Sequence, residues 1–250
     1  VPVLWALVLA TERTGRAGGT IRERRAPPLP LIAAGLFFAG DLAVWHWSIM
    51  LTSVANATLL ANWAPIFVTL ALWLVWGERP SGRFVAAMAT ALAGAALLIG
   101  GDFQPTPARL LGDALGIATA MFYAAYQLTL SRIGPRLPAL RIMACATTVT
   151  ALALLPLALA SGGPLFPATA AGWLPLLGLA LLSQVLGQSL IAHGIARLPA
   201  TLSSVGLLLQ PVMAGLFAWV LLAEALAPLQ VAGGAIVLAG IWLARAARRR

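Results

Sequence analysis

An aspartate, Asp41, stands inside the apolar run 29–50. Such a run is long enough to cross a bilayer as a helix. An acid near its middle costs about 2.5–3.5 kcal/mol on insertion scales. A carboxyl group there has two readings. It can exchange a proton or pair with a substrate amine, or it can sit neutral and hydrogen-bonded to a neighbouring helix. At 3.6 residues per turn, Trp45 and Ser48 share its face, whereas His46 lies well round the helix. His46 reads as polar packing near the outer end of the run.

Polar stripes recur in other apolar runs. In 57–77, Thr58, Asn62, Pro65, Thr69, Trp73 and Trp76 fall near one face. Asn62 offers donor and acceptor groups together. Pro65 removes a backbone bond and frees the carbonyl of Ala61. These features suit a cavity-lining, bendable helix. They equally suit helix packing, with tryptophans at the membrane surface. The run 110–131 carries Thr119, Tyr123, Tyr126 and Gln127, and its two tyrosines are the only two in the chain. In 172–195, Gln184 and Gln188 stack at i, i+4, and His193 reads as interfacial. In 200–223, Ser203, Gln210 and Pro211 lie near one face. The candidate site is therefore Asp41, Trp45, Asn62, Tyr123, Gln127, Gln184, Gln188 and Gln210, with Pro65 and Pro211 as hinges. One acid among uncharged polar groups suits a zwitterion or polar metabolite. The competing reading is interhelical hydrogen bonding, worth about 0.6 kcal/mol per bond.

The elements that carry these residues follow from composition. The 250 residues are 61% hydrophobic and 9% charged, against roughly 25% charged in soluble domains. That excludes a water-soluble domain and a disordered chain. The single cysteine, Cys145, excludes an internal disulfide, and with two histidines it leaves almost no material for a metal site. No cofactor is expected. No Gly-x-Ser-x-Gly, HExxH or CxxC motif occurs, and one mid-span acid excludes a two-carboxylate protease. The chain reads as a polytopic all-α membrane protein rather than an enzyme. Eight spans are expected: 29–50, 57–77, 82–101, 110–131, 139–160, 172–195, 200–223 and 227–244. Residues 1–10 are apolar but too short to span, and read as the back half of a helix.

The cations are all arginine. If the spans alternate, every arginine except Arg109 falls on one side. That asymmetry puts the 11–28 loop and the C-terminus in the cytoplasm, and sets the charge apart from a nucleic-acid signal. An internal repeat appears at an offset of 146 residues. Pro65 then meets Pro211, Trp73 meets Trp219, Glu78 meets Glu224 and Gly94 meets Gly240. The offset carries an outward-running span onto an inward-running one, so the halves 1–101 and 102–250 are inverted copies. Completing the first copy needs about one and a half further helices upstream. Glu78 and Glu224 each end a helix, where an acid opposes the dipole, so a partner such as Arg79 or Arg83 is expected for Glu78. Gly112 and Gly116 match a small-xxx-small packing spacing.

The stretch Trp63-Ala64-Pro65 through Gly77-Glu78-Arg79-Pro80 and the small-residue span after it resemble the third-to-fifth helix region of an EamA-type repeat. That repeat belongs to the drug/metabolite transporter (DMT) superfamily. Gln210-Pro211 through Ala223-Glu224 and the span 227–244 resemble its second copy. The resemblance implies ten helices in two inverted five-helix units, of which this chain holds eight full helices. It implies a secondary transporter exporting or importing small metabolites by alternating access; taken with the polar lining, the expectation is an exporter of amino acids or related zwitterions. A flippase of lipid-linked polar groups and a channel stay open as alternatives. The expected setting is a bacterial inner membrane. The expected partners are a small-molecule substrate and bilayer lipid, with protons as coupling ion and a homodimer left open. No nucleic-acid partner is expected.

Overall fold

A computed structural model describes residues 1–13, 28–100, 106–163, 165–223 and 225–247. No strand occurs among the described residues. Among the described residues twelve α-helices follow one another: α1 (Pro2–Arg13), α2 (Pro28–Leu51), α3 (Val54–Ala61), α4 (Ala64–Trp76), α5 (Gly82–Ile99), α6 (Pro107–Ile133), α7 (Ala139–Ala160), α8 (Ala170–Gly178), α9 (Gln188–Ile195), α10 (Ala200–Gly206), α11 (Leu209–Leu222) and α12 (Pro228–Ala247). A π-helical stretch, Leu179–Gly187, joins α8 to α9. Residues 14–27, the acid Glu224 and the terminal arginines 248–250 lie outside the described residues. So do the cytoplasmic placements and the Glu224 helix end that were read from them.

Among the described residues seven helical stretches are long and apolar enough to cross a membrane: Pro28–Leu51, Val54–Trp76, Gly82–Ile99, Ala139–Ala160, Ala170–Ile195, Ala200–Leu221 and Pro228–Ala247. The eighth expected span, within α6, forms the longest helix, 27 residues, but is not among the seven. Its sequence explains this. Asp113, Thr119, Tyr123, Tyr126 and Gln127 dilute its apolar character, and protein covers Thr119, Ala120, Ala124, Tyr126 and Gln127. A helix enclosed by its neighbours need not be apolar all round.

The prolines act at helix starts. Span 57–77 is broken at Asn62–Trp63, and Pro65 lies in the first turn of α4. Span 200–223 is broken at Leu207–Leu208, and Pro211 lies in the first turn of α11. N–H groups in a first turn have no intrahelical acceptor, so proline loses nothing there. The expected bend is thus a full interruption, placed just before each proline. Pro156 and Pro175 sit inside α7 and α8 without ending them.

Helix ends repeat as well. Gly77 closes α4 in the left-handed region at φ 74°, and Ala223, 146 residues on, closes α11 at φ 55°. A Cβ in that region is strained, and glycine is not. Ala223→Gly is therefore expected to stabilise the protein by about 1 kcal/mol. A rise in melting temperature in detergent checks it.

The chain packs as two compact units. One comprises Val1–Gly40 with Ala125–Pro199, the other Asp41–Ala124 with Ala200–Arg250. Each takes residues from before and after position 101, so the packing units are not the sequence halves.

In the first unit α1 lies on α7. Leu4 and Val8 are buried, the Trp5 indole donates to Thr148 Oγ1 at 3.0 Å, and Arg141 meets Glu12 at 3.9 Å. Twelve residues rise about 18 Å, short of a bilayer core. Gly35 lets α2 approach α7, where Thr150 Oγ1 donates to the Gly35 carbonyl at 2.8 Å.

In the second unit α5 lies along α12, around a core that includes Met88, Ala91, Val205, Leu208 and Val237. A methyl on Gly94 would lie 2.5 Å from the Val237 backbone nitrogen. One on Gly233 would lie 2.5 Å from Leu98 N, and one on Gly240 would lie 2.5 Å from Ala91 N. As numbers rise along α5 from Ala91 to Leu98, their partners on α12 fall from Gly240 to Gly233. The two helices therefore run antiparallel. Gly94 against Val237 and Gly240 against Ala91 are also the same contact, exchanged by the 146-residue offset.

Candidate functional site

The second unit holds Asp41, Trp45, Asn62, Tyr123 and Gln210. Asp41 and Trp45 are half-buried, one turn apart on α2. Trp45 packs edge-on against His46, at 5.4 Å between ring centroids, and His46 Nδ1 lies 2.9 Å from the Leu42 carbonyl. His46 is thus exposed and engaged on its own helix, as expected of polar packing. Tyr123 comes from α6, and Gln210 from the first turn of α11. The Gln210 amide donates to the Tyr123 hydroxyl at 3.4 Å. The Tyr123 hydroxyl is also within electrostatic range of the Asp41 carboxylate. An acid, a phenol and a carboxamide from three separate helices are therefore brought near each other. They can offer a negative charge to an amine and neutral hydrogen bonds to a second polar group.

Asn62 sits at the break between α3 and α4. Its side-chain amide donates to the Thr58 carbonyl at 2.8 Å, and its backbone N–H meets the same carbonyl at 3.1 Å. The residue closes α3. Thr69 caps a carbonyl in the same way, donating to Pro65 at 2.7 Å. It is an i−4 back-bond inside α4, distinct from the Ala61 carbonyl that Pro65 leaves without its usual donor. Trp73 and Trp76 are exposed near the end of α4, which fits membrane-surface packing. Glu78 is exposed and makes no ion pair with a described residue, so the expected Arg79 or Arg83 partner is not found. Water at a membrane surface solvates such a carboxylate without a partner.

Ser48, on the Asp41 face, turns out to be a packing residue. It is fully buried and donates to the Gly112 carbonyl at 2.7 Å. One turn on, Thr52 donates to Asp113 Oδ1 at 2.7 Å. Gly112 permits this approach, since a methyl there would lie 2.7 Å from Thr52 N. The Thr52–Asp113 pair was not read from the sequence. Its signal was the small-xxx-small spacing of Gly112 and Gly116 opposite two small hydroxyl residues.

The first unit holds Gln127, Gln184 and Gln188. Gln127 is 2% exposed, and neither of its amide heteroatoms has a hydrogen-bond partner among the described residues. The side-chain oxygens of Gln184 and Gln188 are likewise enclosed and unpartnered, as are the hydroxyls of Thr147 and Ser189. Sequence reading had passed over the last two. An enclosed polar group without a partner costs about 1–3 kcal/mol. Gln184 lies within the π-helical stretch, and Gln188 N–H closes it on the Ser183 carbonyl. Stretches of this kind are frequent at functional sites.

Comparison with known proteins agrees with this architecture. The model of the EamA-like transporter family matches residues 2–100 and again 110–246. A probable terminal-alkyne amino-acid exporter of Streptantibioticus cattleyicolor is 30% identical over 227 residues, covering 89% of this chain and 75% of that protein. A pseudopaline exporter of Pseudomonas aeruginosa is 27% identical, covering 92% of this chain and 79% of that protein. An uncharacterised transporter of Archaeoglobus fulgidus is 26% identical, covering 90% and 79%. A solved crystal structure matches 97% of this chain and 82% of its own with a TM-score of 0.80 at 22% identity, a likeness of fold.

Proposed function

Because the chain belongs to the EamA-like transporter family, an integral membrane family of the DMT type, we propose that it exports small polar metabolites, amino acids or related zwitterions, by alternating access. The relatives named as exporters support a transporter rather than an enzyme. The substrate's amine pairs with Asp41, and Tyr123 and Gln210 supply neutral hydrogen bonds. The observation that carries this reading is the Gln210–Tyr123 bond within electrostatic range of Asp41. Asp41 comes from before residue 101 and the other two from after it. Asp41 is half-buried near the middle of an apolar helix, and intramembrane acids by default mark substrate or proton pathways. The start of α11 at Gln210 and the start of α4 are both broken-span ends, and discontinuous helices form the binding sites of many secondary transporters.

The division into repeats 1–101 and 102–250 is supported by the double match of the family model. Their inversion is supported by the antiparallel, offset-exchanged contact of α5 and α12. The arginine asymmetry supports a cytoplasmic C-terminus, and the bacterial relatives support a bacterial inner membrane as the setting. Single-cysteine labelling in a Cys145→Ser background should report Ser161 and Arg250 on opposite faces. Labelling of both from one face removes the inverted arrangement.

The function is tested in proteoliposomes loaded with labelled amino acids under an imposed pH gradient. Gradient-dependent efflux of one or more amino acids above empty-vesicle background is expected. No efflux of any under a gradient of either sign refutes the reading.

A further inference from the structure

The geometry points to a second, uncharged binding subsite within the first unit, formed by Gln127, Thr147, Gln184, Gln188 and Ser189, that takes a carboxamide or hydroxyl group of the ligand. The inference rests on the transport reading only in treating that ligand as a metabolite of the amino-acid class.

These residues stand on neighbouring elements. Gln127 follows Tyr126 on α6, and the Tyr126 hydroxyl touches the Met143 sulfur of α7 at 3.5 Å. Thr147 lies one turn beyond Met143, on the same face of α7. The helix α7 also packs on α9, which begins with Gln188 and Ser189. Gly134, just past the end of α6, abuts Ala196 at the end of α9. Gln184 and Ser189 are five residues apart at the end of the i→i+5 stretch, hence one turn apart along it.

The chemistry of the set is distinctive. Each residue has an enclosed side-chain atom with no hydrogen-bond partner among the described residues, and Gln127 has two. Native proteins leave few such atoms, and they call for an explanation. Between Arg141 and His193 the sequence contains no Asp, Glu, Lys or Arg. No residue between those two positions on α7 or the α8–α9 span can therefore neutralise a charged ligand group. Three carboxamides and two hydroxyls offer donors and acceptors together, which an uncharged group with both capacities matches. A carboxylate or an ammonium would satisfy only half of them and would be buried without a counter-charge.

The test compares L-asparagine, L-aspartate and L-norvaline, which are similar in size and differ at the side-chain end. Binding to the purified full chain is read as displacement of its melting temperature across a concentration series, which does not depend on transport. Asparagine is expected to bind at least about tenfold tighter than norvaline and aspartate, since a site built to hydrogen-bond rejects an analogue lacking the group. Gln127→Leu and Gln184→Leu should each bring asparagine down to the level of norvaline. Gln127→Asn, which keeps the carboxamide, should restore part of the preference. Ligand-free melting temperatures show that each variant is folded, and Gln184→Leu stands if Gln127→Leu does not. Equal binding of the three amino acids, no binding of asparagine, or a preference that survives both leucine variants overturns the subsite. Asparagine binding as expected, with no amino-acid efflux from proteoliposomes, keeps the subsite and refutes the transport reading instead.

Discussion

Export driven by a pH gradient is expected to fall to the level of empty vesicles when Asp41 is replaced by asparagine. The substitution preserves size and hydrogen-bonding capacity while removing the charge and the titration. Insertion becomes easier, because an amide costs less in hydrocarbon than a carboxylate. The variant should therefore reach the membrane and melt no lower than the parent. Two roles for the carboxylate separate in a counterflow assay, where labelled substrate outside exchanges for unlabelled substrate inside without a gradient. If Asp41 only carries a proton, exchange survives in the asparagine variant and loses its dependence on pH. If Asp41 pairs with the substrate amine, exchange fails as well. Unchanged flux with an unchanged pH profile would reduce Asp41 to a structural hydrogen-bonder. It would leave the Tyr123–Gln210 pair as helix packing.

A second large effect is expected where α5 meets α12. Gly94→Ala puts a methyl 2.5 Å from the Val237 nitrogen and 2.8 Å from the Gly233 carbonyl oxygen. Backbone atoms cannot yield as the tip of a side chain does, so the helices must move apart. Overpacking of this kind costs about 1–3 kcal/mol, and alanine's gain in helix propensity, about 0.5–1 kcal/mol, offsets only part of it. Gly240→Ala makes the offset-exchanged contact, against Ala91 N at 2.5 Å, and should cost a similar amount. Gly234→Ala is the internal control. It lies on the same helix, beside Gly233, with its nearest neighbouring atom at 3.8 Å. Melting temperatures in detergent should fall for the first two variants and hold or rise for the third. Equal effects at all three positions would mean that close backbone packing does not set the stability of this pair.

Much of this architecture was legible in the residues. Seven of the eight apolar runs emerged as spans, and the eighth as a long helix, because hydropathy and length fix such segments almost alone. Pro65 and Pro211 announced that their spans are interrupted. They did not announce where, because a proline tolerated in a first turn places the break upstream of itself, at Asn62–Trp63 and Leu207–Leu208. Pro156 and Pro175 carried the same signal with no interruption, for which the helices offer no evident reason.

The π-helical stretch was not visible. A segment bonded i→i+5 changes the phase of every side chain after it, so helix-face arguments made for an ordinary α-helix fail across it. Thr147 and Ser189 escaped notice for a simpler reason. Small hydroxyl residues are common in membrane helices, and only enclosure without a partner sets these two apart. Thr52 and Asp113 met because of glycine, whose effect is on how closely backbones approach and so appears only once two helices are placed together.

The antiparallel pairing of α5 with α12 carries a consequence for ancestry. What α5 presents to α12 at Gly94 and Ala91 is, position for position, what α12 presents back at Gly240 and Val237. Such an isologous surface is self-complementary. A half-length chain bearing only that surface, inserted in both orientations, would already own each side of the seam. Fusing two copies then adds no new recognition. It fixes one orientation for each half, and from that point the two halves are free to diverge, as Gly77 and Ala223 have done at the ends of their helices.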